Sequence, residues 1–357
     1  MEQRTLSVYR LAHILIIIVL GYVVLTRGAF FLIPLIFSIL LTIMVQPLNR
    51  FFERIVRFRA PAALLTILTV LAGLGIIITL ISVQLTAIIN DLDNVTGQIN
   101  QGFHEILDWL NENIGLKESD IRESFPNITQ NAVGFIQKGI SSVTGFVFNL
   151  FFVLLLVFFL LWYQHNFMKL MLLQANKEKP GNLESILTQI QATMRKYLYG
   201  LLTVIGILAV LNSVGLLIIG IKYAIFWGVL AAFLAIIPYI GTTLGGTLPF
   251  LYAVATAGNW WQPLAVVGMY VIIQQLEGNI ITPKVVGKSV SINPLIALLS
   301  IILGGYIWGV SGIILAIPII GVIKILLDQN KQTRPIGFLL GNQMSNKGED
   351  FWKEMEE

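Results

Sequence analysis

The chain has 357 residues, 56% of them hydrophobic and 12% charged, with no cysteine, three histidines and a net charge of +4. Charged residues stand at about half the roughly 25% typical of soluble proteins, too few to clothe a water-exposed globule. The missing cysteine excludes disulfides, thiolate metal sites and cysteine nucleophiles. His13, His104 and His165 are too scattered to form a metal cluster, and the basic residues lie in short blocks between apolar runs, which argues against a nucleic-acid partner.

Residues 11–26, 28–49, 60–90, 139–168, 197–221, 223–276 and 289–323 contain no Asp, Glu, Lys or Arg. A helix needs roughly 20 mostly apolar residues to cross a hydrocarbon core. The first run is short, but Arg10 and Arg27 can snorkel and extend it. No cleavage signature follows Leu25, so it reads as an uncleaved first helix. The 54-residue run holds at least two crossings, and the 35-residue run holds one, or one plus a re-entrant piece. The expected fold is all-α, a polytopic integral membrane protein with about eight transmembrane helices and broken or re-entrant helices in its C-terminal half.

Five regions follow in chain order. Residues 1–85 form three spans with a basic loop, and 86–140 an acidic helical segment. Residues 141–200 hold a fourth span and an amphipathic helix, 201–327 a transport half, and 328–357 a tail. Arg50, Arg54, Arg57 and Arg59 crowd one connection, and Lys169, Lys177, Lys179, Arg195 and Lys196 another. Lys/Arg bias places both connections and both termini in the cytoplasm, and the acidic segment outside. Along that segment Ile88, Leu92, Val95, Ile99, Phe103, Ile106 and Leu110 make a stripe on one helix face. The stripe either closes a small helical cap or, across 86–110, joins copies in a homo-oligomer. Leu183, Ile186, Leu187, Ile190 and Met194 mark the amphipathic helix, with Asn182 as its expected N-cap.

The second half differs in texture. Pro238, Gly241, Gly245, Gly246, Pro249 and then Gly304, Gly305 and Pro318 interrupt two apolar stretches. Backbone broken inside a membrane is tolerated where protein or a water-filled cavity receives the freed polar groups, and paired interruptions point to a transport site. Gly245, Gly246, Pro249, Gly304, Gly305 and Pro318 are therefore expected as helix breaks, the alternative being that they serve only close helix packing and kinks. Between Glu184 and Asp328 the sole acidic residue is Glu277, set in Gln274-Gln275-Leu276-Glu277-Gly278-Asn279. A carboxylate beside an apolar helix usually faces a cavity, an ion or a partner; the alternative is an interfacial residue paired with Lys284 or Lys288. Asn212, within the span at 201–219, is expected to hydrogen-bond between helices, the alternative being contact with a substrate. ATP-motor, HExxH and GxSxG motifs are absent, so the chain reads as no enzyme, with no cofactor and no metal.

Ile236-Ile-Pro-Tyr-Ile-Gly241, Gln274-Gln-Leu-Glu-Gly-Asn279, Thr282-Pro-Lys-Val-Val-Gly287 and Asn293-Pro-Leu resemble the signature blocks of the AI-2E family. So does Gly304-Gly-Tyr-Ile-Trp-Gly309 followed by Ala316-Ile-Pro318. These are autoinducer-2 exporter-like permeases. The resemblance implies bacterial inner-membrane transport, of the quorum-sensing furanone in some members and of sodium or lithium against protons in others. It implies a core of Pro238, Gly241, Gln275, Glu277, Gly278, Asn279, Pro283 and Pro294. Two positions depart from the family pattern: Leu201 stands after Gly200 where Gln is frequent, and Ala235 stands where a polar residue often precedes the Ile-Pro block.

The leading expectation is a secondary or facilitative permease in the lipid bilayer, exporting a small polar solute such as autoinducer-2. Its pathway is expected at Pro238, Gly241, Gln274, Gln275, Glu277, Gly278, Asn279, Pro283, Asn293 and Pro294. One alternative is a cation/proton antiporter working through Glu277. Another is a membrane scaffold or regulator that uses the outer stripe.

Overall fold

A computed structural model describes residues 8–90, 143–175, 180–237, 240–256, 261–286, 290–330 and 332–342. Helix dominates throughout: α1 (Val8–Arg27), α2 (Ala29–Val56), α3 (Arg59–Asn90), α4 (Val143–Ala175) and α5 (Pro180–Ile219). Next come α6 (Ala224–Leu234), α7 (Ile240–Thr256) and α8 (Trp261–Leu276), then a π turn (Glu277–Ile281), α9 (Thr282–Val285), α10 (Pro294–Asp328) and α11 (Arg334–Leu340). Six helices among the described residues are long and apolar enough to cross a membrane, with three shorter apolar helices beside them. Their side chains fit that setting: Ile18, Val24, Phe30 and Ile218 are among many large apolar groups turned outward. Such a surface suits lipid and would aggregate in water.

The chain forms two compact units. The first comprises residues 1–64, 151–195 and 290–357, the second residues 65–150 and 196–289.

In the first unit α1, α2 and α10 pack on one another. The arginine connection is shorter than expected, because α2 continues through Arg50 and Arg54 and only Arg57 and Phe58 separate it from α3. The amphipathic segment and the span after it are likewise one 40-residue helix, α5. It starts at Pro180, which puts Asn182 in its first turn rather than at the cap.

The helix α10 is not one rod. Gly309 adopts φ 60° and ψ −139°, a conformation open essentially to glycine alone. A Cβ on Gly312 would stand 1.9 Å from the Gly304 carbonyl oxygen, and one on Gly305 3.2 Å from the Ile313 side chain. Eight residues along a straight helix span about 12 Å, so these contacts require the chain to reverse. The arms 294–308 and 310–328 form a hairpin whose seam is made of glycines. At its tip the Trp308 indole donates to the Leu25 carbonyl of α1 at 2.9 Å. At its base Asn293 caps the first arm by accepting from the Leu295 N–H, and its own N–H donates to the Leu340 carbonyl at 2.9 Å. The short helix α11 packs back on the second arm.

The second unit holds another hairpin, α6–α7. A Cβ on Gly241 would meet the Leu234 carbonyl oxygen at 1.7 Å, and one on Gly245 the Ala231 Cβ at 2.9 Å. The pairs 234/241 and 231/245 run in opposite directions, as antiparallel helices require. Leu216, Trp227, Tyr252, Ala253 and Val266 pack with Ile88 into a buried core beside the hairpin.

These hairpins correct the expected break points. Gly245, Gly246 and Pro249 lie inside α7, and Gly304, Gly305 and Pro318 lie inside the arms of α10. The helical pattern stops instead after Leu234 and at Gly309, and at the π turn it widens without stopping. The glycines serve close approach between helices, and proline in a buried membrane helix is tolerated because neighbouring groups absorb its missing donor. Pro238, most of the 86–140 segment with its stripe, and residues 343–357 of the tail lie outside the described residues.

Candidate functional site

A small cavity lies inside the second unit. It is lined by Leu208 and Asn212 of α5, Ala231 of α6, Ala235 just beyond it, Gly241 and Gly245 of α7, and Tyr270, Ile273, Gln274 and Glu277. Helical spacing explains the membership. Each of α5, the α6 end and α7 contributes an i, i+4 pair, while Tyr270, Ile273, Gln274 and Glu277 fall at i, i+3, i+4 and i+7 of one face. The absent side chains of Gly241 and Gly245 leave the floor open where the hairpin is tightest.

The π turn carries Glu277 to the cavity rim. Proline at 283 has no N–H, and its ring collides with the carbonyl four residues back in a regular helix. The chain widens here, so that the Thr282 N–H donates to the Glu277 carbonyl across five residues. The Thr282 hydroxyl donates to Oε1 of Glu277, and the Gln274 amide donates to Oε2 at 3.2 Å. Among the described residues no basic side chain lies within ion-pair distance of this carboxylate, Lys284 included.

Two further polar groups meet the cavity with nothing to bond. Asn212 is only 4% exposed and its Oδ1 accepts no hydrogen bond; the Tyr270 hydroxyl is buried and unpartnered. A buried polar atom left unsatisfied costs about 1–3 kcal/mol. The cavity offers about 20 Å³ for the centre of a water molecule, enough to admit a water. The interhelical bond expected of Asn212 is therefore not made by its Oδ1.

The structure gathers Gly241, Gln274 and Glu277 of the expected pathway here; Pro238 lies outside the described residues, and the other expected residues do not line the cavity. Gln275 and Asn279, four apart, bond to each other at 2.9 Å on an exposed face, with Gly278 and Pro283 also exposed. Asn293 and Pro294 belong to the first unit, at the base of α10. Tyr270 escaped the sequence reading, although counting back seven residues from Glu277 along one face finds it. Among the described residues no group of three metal-ligating side chains occurs.

Long apolar helices, two glycine-seamed hairpins and a small, partly open cavity with polar groups beside Glu277 define a multi-pass membrane transport protein. The AI-2E family transporter profile matches residues 13–332, and the chain belongs to that family. It is 28% identical over 309 residues to YueF of Bacillus subtilis (strain 168), a transport protein by name, covering 82% of each chain. It is 24% identical over 346 residues to the AI-2 transport protein TqsA of Escherichia coli (strain K12), covering 92% of this chain and 95% of that one.

Proposed function

We propose that this chain is a secondary permease of the bacterial cell membrane, exporting a small polar solute of the autoinducer-2 kind, and that the Asn212–Tyr270–Glu277 cavity is the polar station on its route. The observation that carries the reading is the pair of oxygens without protein partners in a small cavity next to the only acid between Glu184 and Asp328. A hydroxylated solute supplies donors to Asn212 and Glu277 and an acceptor to Tyr270. The likeness to TqsA supports the solute class. A solute of several heavy atoms needs the water-sized hollow widened, so transport on this reading includes an opening step. No catalytic role is assigned. The Lys/Arg bias supports cytoplasmic termini.

Efflux of labelled autoinducer-2 from cells lacking or overproducing the protein tests the reading; indistinguishable traces would defeat it. Asn212→Leu sharpens it. Removing an unpartnered buried acceptor should leave the thermal midpoint unchanged or raise it, by up to about 2 kcal/mol of stability. Flux should nevertheless fall by about tenfold or more, the equivalent of one lost hydrogen bond of ~1.4 kcal/mol. A purely structural Asn212 predicts unaltered flux.

The size of the cavity favours one second reading, exchange of a monovalent cation for a proton at Glu277. Everted vesicles distinguish it, since cation-dependent proton flux belongs to this reading and not to the first.

A further inference from the structure

Within the first unit, α2, α4 and α5 bring Gln46, Gln164 and Arg195 together. The Gln46 amide donates to Gln164 Oε1 at 3.3 Å, and Nη2 of Arg195 donates to Gln46 Oε1. The Nε–H of Arg195 is buried with no acceptor. Among the described residues no carboxylate lies within ion-pair distance of this guanidinium. Arginine does not lose its proton, so a full positive charge sits here met only by a neutral amide oxygen. Charges at membrane depth are costly and conventionally face a partner.

The position indicates the partner's chemistry. Gln46 precedes Arg50 by four residues, Gln164 precedes Lys169 by five, and Arg195 borders the charge-free run that starts at Tyr197. Three helices thus place these groups where apolar sequence gives way to basic ends, the level of phospholipid phosphates. Basic pockets between helices at that level suit anionic headgroups. On a guanidinium the Nε–H and one Nη2–H point the same way, a pair that matches two oxygens of one phosphate. Arg50, exposed and one turn beyond Gln46 on α2, adds positive charge on the same face.

We propose that Arg195, positioned by Gln46 and Gln164, binds a phosphate-type oxyanion between α2, α4 and α5, supplied by an anionic phospholipid headgroup or by free phosphate. The site is independent of the cavity and of the transport reading.

The test is native mass spectrometry of the full-length protein in detergent with added phosphatidylglycerol. Wild type should retain the lipid. Arg195→Gln should lower retention about tenfold, whereas Arg54→Gln, which removes an exposed cation two turns beyond Gln46 on α2, should lower it by no more than about twofold. Arg195→Lys keeps the charge but loses Nε, and should retain about threefold less than wild type; it reads the site if the glutamine variant does not fold. Displacement of the lipid by millimolar inorganic phosphate assigns the site to a free oxyanion, and failure to displace assigns it to a headgroup. Wild-type retention by both Arg195 variants, or an equal loss in Arg54→Gln, overturns the proposal.

Discussion

Replacing Gly312 with valine should prevent the α10 hairpin from closing. The first added carbon of any side chain would stand 1.9 Å from the Gly304 carbonyl oxygen and 3.0 Å from the Trp308 Cβ. Both obstacles are held in place: one is backbone, and the other belongs to a residue tied to α1 through its indole. Overpacking that flexible side chains can relieve costs about 1–3 kcal/mol. Here the arms themselves must separate, so the loss should exceed about 4 kcal/mol, the range of exceptional single mutations. Gly206 is the control, because a Cβ there meets nothing within 4 Å. Alanine at that helical position should be neutral or stabilising by up to ~1 kcal/mol. Thermal unfolding of the purified proteins in detergent reads both variants. A Gly312→Val protein melting with wild type would mean that the arms are not in contact.

Glu277→Gln should leave the fold intact and remove about 99% of flux. The substitution keeps the size of the side chain but removes the charge that accepts from Thr282 and Gln274. Hydrogen bonds to a charged group contribute about 1.5–3 kcal/mol each, against about 1 for neutral ones. A neutral amide loses that difference on each donor a passenger presents to the carboxylate, and two such donors correspond to about a hundredfold. Glu277→Asp should retain partial flux, since the carboxylate survives with shortened reach. The experiment compares efflux rates at equal protein abundance, with cation-dependent proton flux in everted vesicles run in parallel. If Glu277→Gln transports solute at the wild-type rate, the cavity is not on the route; if it loses proton exchange alone, the antiport reading takes its place.

Much of the architecture was legible because membrane insertion is written in composition. Charge-free runs predicted the helices α1 to α5, and the stripe Leu183, Ile186, Leu187, Ile190 and Met194 is the face that α5 turns inward, with Glu184 and Gln189 left exposed. Where helices stop was less legible. Glycine and proline mark both breaks and close packing, and sequence does not separate the two. Gly309 breaks because its backbone adopts positive φ at a chain reversal, whereas Gly304 and Gly312 remain helical and make the seam.

The candidate site divides the same way. The block Gln274 to Asn279 reads as one polar cluster in sequence, but successive residues on a helix point about 100° apart. Gln274 and Glu277 therefore reach the cavity while Gln275 and Asn279 bond on another face. Tyr270 could have been found by that counting. The unsatisfied oxygen of Asn212 could not, since it depends on how α5 meets the α6–α7 hairpin.

The sharpest examination of the account uses the absence of native cysteine, which makes any introduced thiol unique. Leu208→Cys and Leu217→Cys lie nine residues apart on α5, the first lining the cavity and the second exposed on the apolar surface. In transporting cells a small charged thiol reagent should modify Cys at 208, more slowly when autoinducer-2 is present in excess, and should leave Cys at 217 untouched within lipid. An unreactive thiol at 208 in a protein that still transports would contradict the assignment of the cavity to the route.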